Sequence, residues 1–258
     1  MHPTVKAART AGFVYLAMIL VAPFSMLYVP GKLIVRDNPA ATAENILTHE
    51  TLFRLSIFGD LIGHVIFICL SVALYRLLSS VNKHWALLMV GFVWVSAAVG
   101  FLNTLNDLAA VIFFRGADFL AMFDKAQRDA LGMFFIKLHT QGIFIDEIFW
   151  GVWLFPFGWL VFRSGFLPRF LGVWLILACF GWVSLSAIAV FSPVYYEAAF
   201  RWLQPVFFAE LVFMLWVLIR GAKVPMSAVA AEDFFVGEAG ASPARTFPGK
   251  LTAPPTIR

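Results

Sequence analysis

Six apolar stretches dominate this chain, at about residues 11–29, 55–78, 85–114, 131–162, 168–192 and 202–220. Each is long enough to cross a bilayer as a helix, which takes roughly 20 residues at about 1.5 Å of rise per residue. The third and fourth are longer than that and are predicted to tilt or to project beyond the hydrocarbon. Transmembrane strands are excluded, because they need alternating apolar and polar residues and these runs are apolar at both parities. The predicted fold is therefore all-α: a polytopic integral membrane bundle of six helices. Composition closes the soluble alternative. Of 258 residues, 61% are hydrophobic and only 13% charged, whereas a soluble domain carries about 45–50% and roughly 25%. So few charges would leave large apolar patches in water.

The distribution of basic residues predicts the orientation. With the N-terminus in the cytoplasm, Lys6, Arg9, Arg76, Lys83, Arg163, Arg169, Arg220, Lys223, Arg245, Lys250 and Arg258 fall inside. Lys32, Arg36, Arg54, Arg115, Lys125, Arg128 and Arg201 fall outside, most beside acidic residues such as Asp37, Asp124 and Glu197. Both termini are thus expected inside, in a bacterial inner (plasma) membrane. Scattered in this way, the basic residues behind the net charge of +4 form no nucleic-acid footprint. Lys6 and Arg9 ahead of the first apolar run suggest a signal peptide, but the run is long and no small-x-small cleavage site follows, so an uncleaved first helix is expected. Cys69 and Cys179 lie within apolar runs and read as buried thiols.

The transmembrane domain is expected to occupy residues 1–221, and the Ala-, Gly-, Pro- and Ser-rich segment 222–258 to form a disordered cytoplasmic tail. Two longer connections fall on the outer side. Residues 39–47 are Ala-rich and helical in character, and Asp118-Phe119-Leu120-Ala121-Met122-Phe123-Asp124 alternates like a short amphipathic helix. Each is either a cap on the membrane surface or an ordered loop.

Ionisable groups inside apolar spans are costly, and each is a candidate for function. Helix 2 carries Asp60 and His64; helix 3 Asn103, Asn106 and Asp107; helix 4 Lys137, His139, Gln141, Asp146 and Glu147; helix 6 Gln204 and Glu210. Counted at about 1.5 Å per residue from the inner charges, Asp60 and Glu147 lie roughly 24 Å up, His64 roughly 18 Å, His139 roughly 36 Å and Glu210 roughly 15 Å. The polar groups thus gather between the midplane and the outer surface, above a nearly apolar inner half. Asp60 and His64, four apart, share a face, as do His139, Asp146 and Trp150, whereas Glu147 points about 100° away from Asp146.

Asp60, His64, His139, Asp146, Glu147 and Glu210 are the candidate catalytic or binding groups, with Asn103, Asn106 and Trp150 completing the site. A His–Asp pair could serve as general base. His64, His139, Asp60 and Asp146 are also the weak candidates for a zinc or iron site, since no HExxH, ExxH or HxxxH motif is present. The bland alternative is hydrogen bonding between helices, worth about 1 kcal/mol per pair. Lys137 and Asp107 are placed at the interface, where snorkelling is ordinary. Pro156, Pro193 and Pro205 are expected to kink or end helices.

Ala8-Arg9-Thr10-Ala11-Gly12, Leu52-Phe53-Arg54 followed by Asp60, His139 with Gly142, the turn Phe162-Arg163-Ser164-Gly165-Phe166-Leu167-Pro168-Arg169, and Glu210-Leu211 ahead of Leu215-Trp216 and Arg220-Gly221 form a pattern over roughly residues 7–222. In it the chain resembles the bacterial multi-pass membrane family labelled domain of unknown function 4386. The resemblance implies the membrane fold and no activity. The expected function is an outward-facing intramembrane polar site that binds or acts on a small hydrophobic molecule or lipid, with the bilayer itself as partner. The alternatives are an accessory or assembly subunit of a larger membrane complex, and a small-molecule transporter. A transporter is disfavoured by the absence of an evident internal repeat.

Overall fold

The computed structural model describes residues 3–222. The expected tail lies outside the described residues from position 223 on, while Ala222 packs against the bundle. Helix α1 (Pro3–Pro23) passes through a π-helical turn, Phe24–Tyr28, into α2 (Val29–Leu33). There follow α3 (Pro39–Thr48), α4 (Glu50–Leu78), α5 (Lys83–Arg115), α6 (Lys125–Val152), α7 (Leu154–Arg163), α8 (Arg169–Phe191) and α9 (Tyr196–Ile219). Among the described residues there is no strand, and six helical segments are long and apolar enough to cross a membrane: Thr4–Leu33, Glu50–Leu78, Lys83–Arg115, Lys125–Arg163, Arg169–Phe191 and Pro193–Ile219.

Local chemistry sets the boundaries. Asn38 caps α3 by accepting from the Ala41 amide at 3.0 Å, with Pro39 at the first helical position. Asn82 caps α5 through the Trp85 amide at 3.1 Å, and Asp124 opens α6 with a capping box completed by Gln127. Residues 39–47 are helical as read from their composition. The stretch after Asp118 forms only a single 3₁₀ turn, Asp118–Leu120, because Asp124 claims the next residues for the start of α6. The fourth span is broken at Trp153. Pro156 has no N–H to offer the Val152 carbonyl, so the helix restarts as α7. In the first span Pro23 and Pro30 bracket the π-helical turn, which sets Ser25 and Met26 on the bundle's inner side.

The spans close into a ring. α1 packs on α4, α4 on α5, α5 on α6, α6 on α8, α8 on α9, and α9 back on α1. Small residues allow the tightest contacts: a Cβ on Gly158 would lie 2.6 Å from the Gly172 carbonyl, and one on Gly172 equally close to that of Gly158. The outer surface carries Phe13, Leu20, Leu102, Phe134, Phe180 and Ile219, all more than half exposed, as a lipid-facing wall requires. Cys69 belongs to this exposed surface, contrary to the buried thiol read from its apolar neighbours, whereas Cys179 is buried and both are free. A helix hydrophobic on every side does not reveal which side meets lipid.

The two ends of the ring differ. At the end where α4 finishes and α5 begins, the interior is solid: α7 contributes Leu154, Phe157, Leu160 and Val161, joined by Trp153, Tyr15, Leu74, Met89 and Phe213. At the other end α3 lies over α4, α5 and α6, and a smaller apolar cluster of Val29, Leu33, Ile46, Ile57, Val111, Phe114 and Ile136 seals it. Glu50 ties this end together by accepting from Arg54 at 2.6 Å and from Arg115 at 2.8 Å. Between the two clusters the ring is not filled.

Candidate functional site

Two adjoining cavities occupy that gap. The larger, about 180 Å³, is lined mainly by apolar and aromatic groups, among them Met18, Phe67, Trp150, Trp153 and Trp182, with Ser25, Asp60, His64 and Glu210 as its polar groups. The smaller, about 50 Å³, is lined by Asn103, Thr104, His139, Asp146, Gly100 and Ile143. Met26, Asp60, His64 and Trp150 line both, so the chambers meet at these four side chains. An apolar cavity of about 150 Å³ takes up benzene, and the larger chamber is of that order.

The aromatic wall is built by edge-to-face and stacked rings. Trp150 meets Trp182 at 5.4 Å, Trp182 stacks on Phe207 at 4.0 Å, and Phe67 meets Trp153 at 5.4 Å. The Trp182 Nε1 is buried with no hydrogen-bond partner. At the foot of the chamber Tyr15 of α1, fully buried, donates its hydroxyl to the Glu210 carboxylate on α9. The partner that Glu210 needs therefore comes from the first span.

The polar chamber is built on α4, α5 and α6. His139 Nδ1 lies 3.2 Å from Asp107 Oδ2 and 3.4 Å from the Asn103 carbonyl, and Asn103 Nδ2 donates to the His139 carbonyl at 2.9 Å. Asn106 donates to Asn103 Oδ1 at 3.0 Å and holds that amide in place. Room for it comes from Gly142, where a Cβ would lie 2.1 Å from Asn103 Oδ1; Gly100 likewise makes room for the His64 ring, at 2.1 Å from its Cε1. Deeper in the bundle, Asp146 Oδ2 accepts from Ser96 at 3.0 Å and from Trp150 Nε1 at 2.9 Å, while its Oδ1 is buried without a partner.

The candidates from the sequence are thus distributed unevenly. Asp60, His64, His139, Asp146, Glu210, Asn103 and Trp150 all line one or both chambers, and Asn106 supports them from behind. Glu147 does not join them. It is turned toward the α8–α9 side, where it accepts from the Tyr196 hydroxyl and its second oxygen is buried without a partner. Asp107 is the reverse case. It is not an interfacial snorkelling residue: it is only 8% exposed, and it forms with Asp60 and His139 a group whose ligand-type atoms all lie within 4.8 Å of one another. Asp107 lies about two turns from Arg115, so its depth alone suggests the surface. Its spacing of four from Asn103 was the signal that it shared the inward face. Lys137 pairs with Asp37 at 3.0 Å, with both side chains largely exposed.

A model of the family described as "Domain of unknown function (DUF4386)" matches residues 10–221. An uncharacterized protein of Archaeoglobus fulgidus is 29% identical over 171 residues, covering 66% of this chain and 85% of its own. No solved structure matches the chain.

Proposed function

Because the chain belongs to the family described as "Domain of unknown function (DUF4386)", from which no activity follows, we propose from the site alone that the protein binds a small amphipathic molecule within the membrane. The apolar body of the ligand occupies the aromatic chamber, and its polar group reaches past Asp60 and His64 toward His139 and Asp146. The observation that carries this reading is the continuity of the two chambers, one aromatic and one polar, through shared lining residues. Ligand sites are typically of this kind, mostly apolar with a few convergent polar groups. The unpaired Trp182 Nε1 and Asp146 Oδ1 support it as well, since a buried polar atom without a partner is uncommon. A lipid or a lipophilic metabolite fits this description, and any chemistry performed on it would fall to Asp60, His64, His139 or Asp146.

We also place the α3 end on the non-cytoplasmic side of a bacterial inner membrane. The basic residues near the opposite end, Arg76, Lys83, Arg163 and Arg169, support this orientation. The polar chamber then lies in the outer half of the bilayer, beneath the apolar cluster that seals this end.

The test is a titration of detergent-purified protein with 1-aminoanthracene, a small aromatic hydrophobe whose fluorescence rises in apolar cavities. Saturable binding is expected, weakened at least ten-fold by Trp150→Ala and by Trp182→Ala and unaffected at the exposed Trp202→Phe. Equal binding by all four proteins would sink the proposal.

A further inference from the structure

The group formed by Asp60, Asp107 and His139 goes beyond hydrophobe binding. These residues come from α4, α5 and α6, and one ligand-type atom from each lies within 4.8 Å of the others. Three helices bring two carboxylates and an imidazole to a single point inside an apolar ring. Two carboxylate charges do not stand side by side in such a medium without compensation. An imidazolium supplies one positive charge; a divalent cation supplies two.

The surroundings are built around this point. Asn103 holds the backbone of His139 by donating its amide to the His139 carbonyl at 2.9 Å, and is itself fixed by Asn106 and admitted by Gly142. Asp60 and His139 both line the smaller chamber. A second observation points the same way independently: Asp146 also lines this chamber, is only 4% exposed, and has an Oδ1 with no partner.

We propose that Asp60, Asp107 and His139 bind one divalent transition-metal ion of the zinc class. Nitrogen and carboxylate oxygen together suit zinc or ferrous iron rather than magnesium or calcium, which take oxygen ligands. Three protein ligands leave a coordination position for water or for an oxygen of a bound molecule, the arrangement of catalytic rather than structural zinc sites. That position would face the chamber into which Asp146 is set.

The experiment uses the full chain with an affinity tag free of histidine, purified in detergent, stripped with EDTA and titrated with Zn²⁺. One equivalent per chain is expected to survive gel filtration. Asp107→Asn and His139→Gln should each weaken binding at least ten-fold, and His49→Gln and His84→Gln, at exposed positions, should leave it unchanged. Should the two site variants lose their helicity or aggregate, the wild-type protein decides through Co²⁺. The expected result is a visible d–d spectrum of four- or five-coordinate intensity, abolished by one equivalent of Zn²⁺. Substoichiometric Zn²⁺, binding unchanged in folded Asp107→Asn and His139→Gln, or a Co²⁺ spectrum like that of the free aqueous ion would each overturn the proposal and leave a plain His139–Asp107 pair. Titrating 1-aminoanthracene into the EDTA-stripped protein separates the two readings, because hydrophobe binding does not require the ion.

Discussion

The contact between Tyr15 and Glu210 joins the first span to the last and closes the ring, and its removal should be measurable. Tyr15→Phe deletes one hydroxyl from a side chain that is 0% exposed, leaving the Glu210 carboxylate without its donor at the wall of the larger chamber. A hydrogen bond to a charged group contributes about 1.5–3 kcal/mol in soluble proteins. Interhelical pairs in bilayers average only about 0.6 kcal/mol and reach roughly 1.7, because the unfolded chain in the membrane also finds partners. The fully buried tyrosine places this pair at the upper end of the membrane range, and we expect about 1.5 kcal/mol. The ring of Phe fills the same space against Phe213, centroids 6.4 Å apart in the native pair, so no cavity term adds to it. The assay is a double-mutant cycle of Tyr15→Phe with Glu210→Met, followed by reversible unfolding in mixed micelles. A coupling energy within about 0.3 kcal/mol of zero, the range of independent sites, would refute the reasoning and make Glu210 a residue of the chamber alone.

Other outcomes follow from the same geometry. Gly142→Val puts carbon where the Asn103 amide lies; a loss of about 1–3 kcal/mol, the usual cost of overpacking, is expected in thermal unfolding, against little change for Gly91→Ala, whose Cβ meets nothing within 4 Å. Ser96→Ala removes one of two donors to the buried Asp146 carboxylate and should destabilise by about 0.6–1.7 kcal/mol, the range of interhelical pairs in bilayers. Arg36→Ala breaks a pair with Glu197 in which both side chains are mostly exposed, and unfolding should not register it. The proposed orientation predicts that a membrane-impermeant maleimide added to intact cells labels Asp118→Cys but not Gly165→Cys, in a background where Cys69 and Cys179 are Ser; the opposite pattern would invert the topology.

The six spans, and their being helices rather than strands, were determined by sequence alone, because length and unbroken apolarity are one-dimensional properties that a bilayer converts directly into helices. Spacing also told which polar residues share a helix face: Asp60 with His64, and His139 with Asp146 and Trp150, all line the chambers. The same spacing turned Glu147 away from Asp146, and Tyr196 on α9 meets it there. Partners between helices were beyond reach, since they depend on the order of spans around the ring and on how closely the backbones approach. Only tertiary structure decided that Tyr15, nearly 200 positions away, serves Glu210, that Gly100 and Gly142 make room for His64 and Asn103, and that Cys69 is exposed at the lipid-facing surface. Asp107 is the sharpest instance. Its depth along α5 suggests an interfacial charge, yet α3 and its apolar cluster cover that end of the bundle and bury it beside His139 and Asp60. Distance along a helix measures depth in a bilayer, but burial is set by what packs around it.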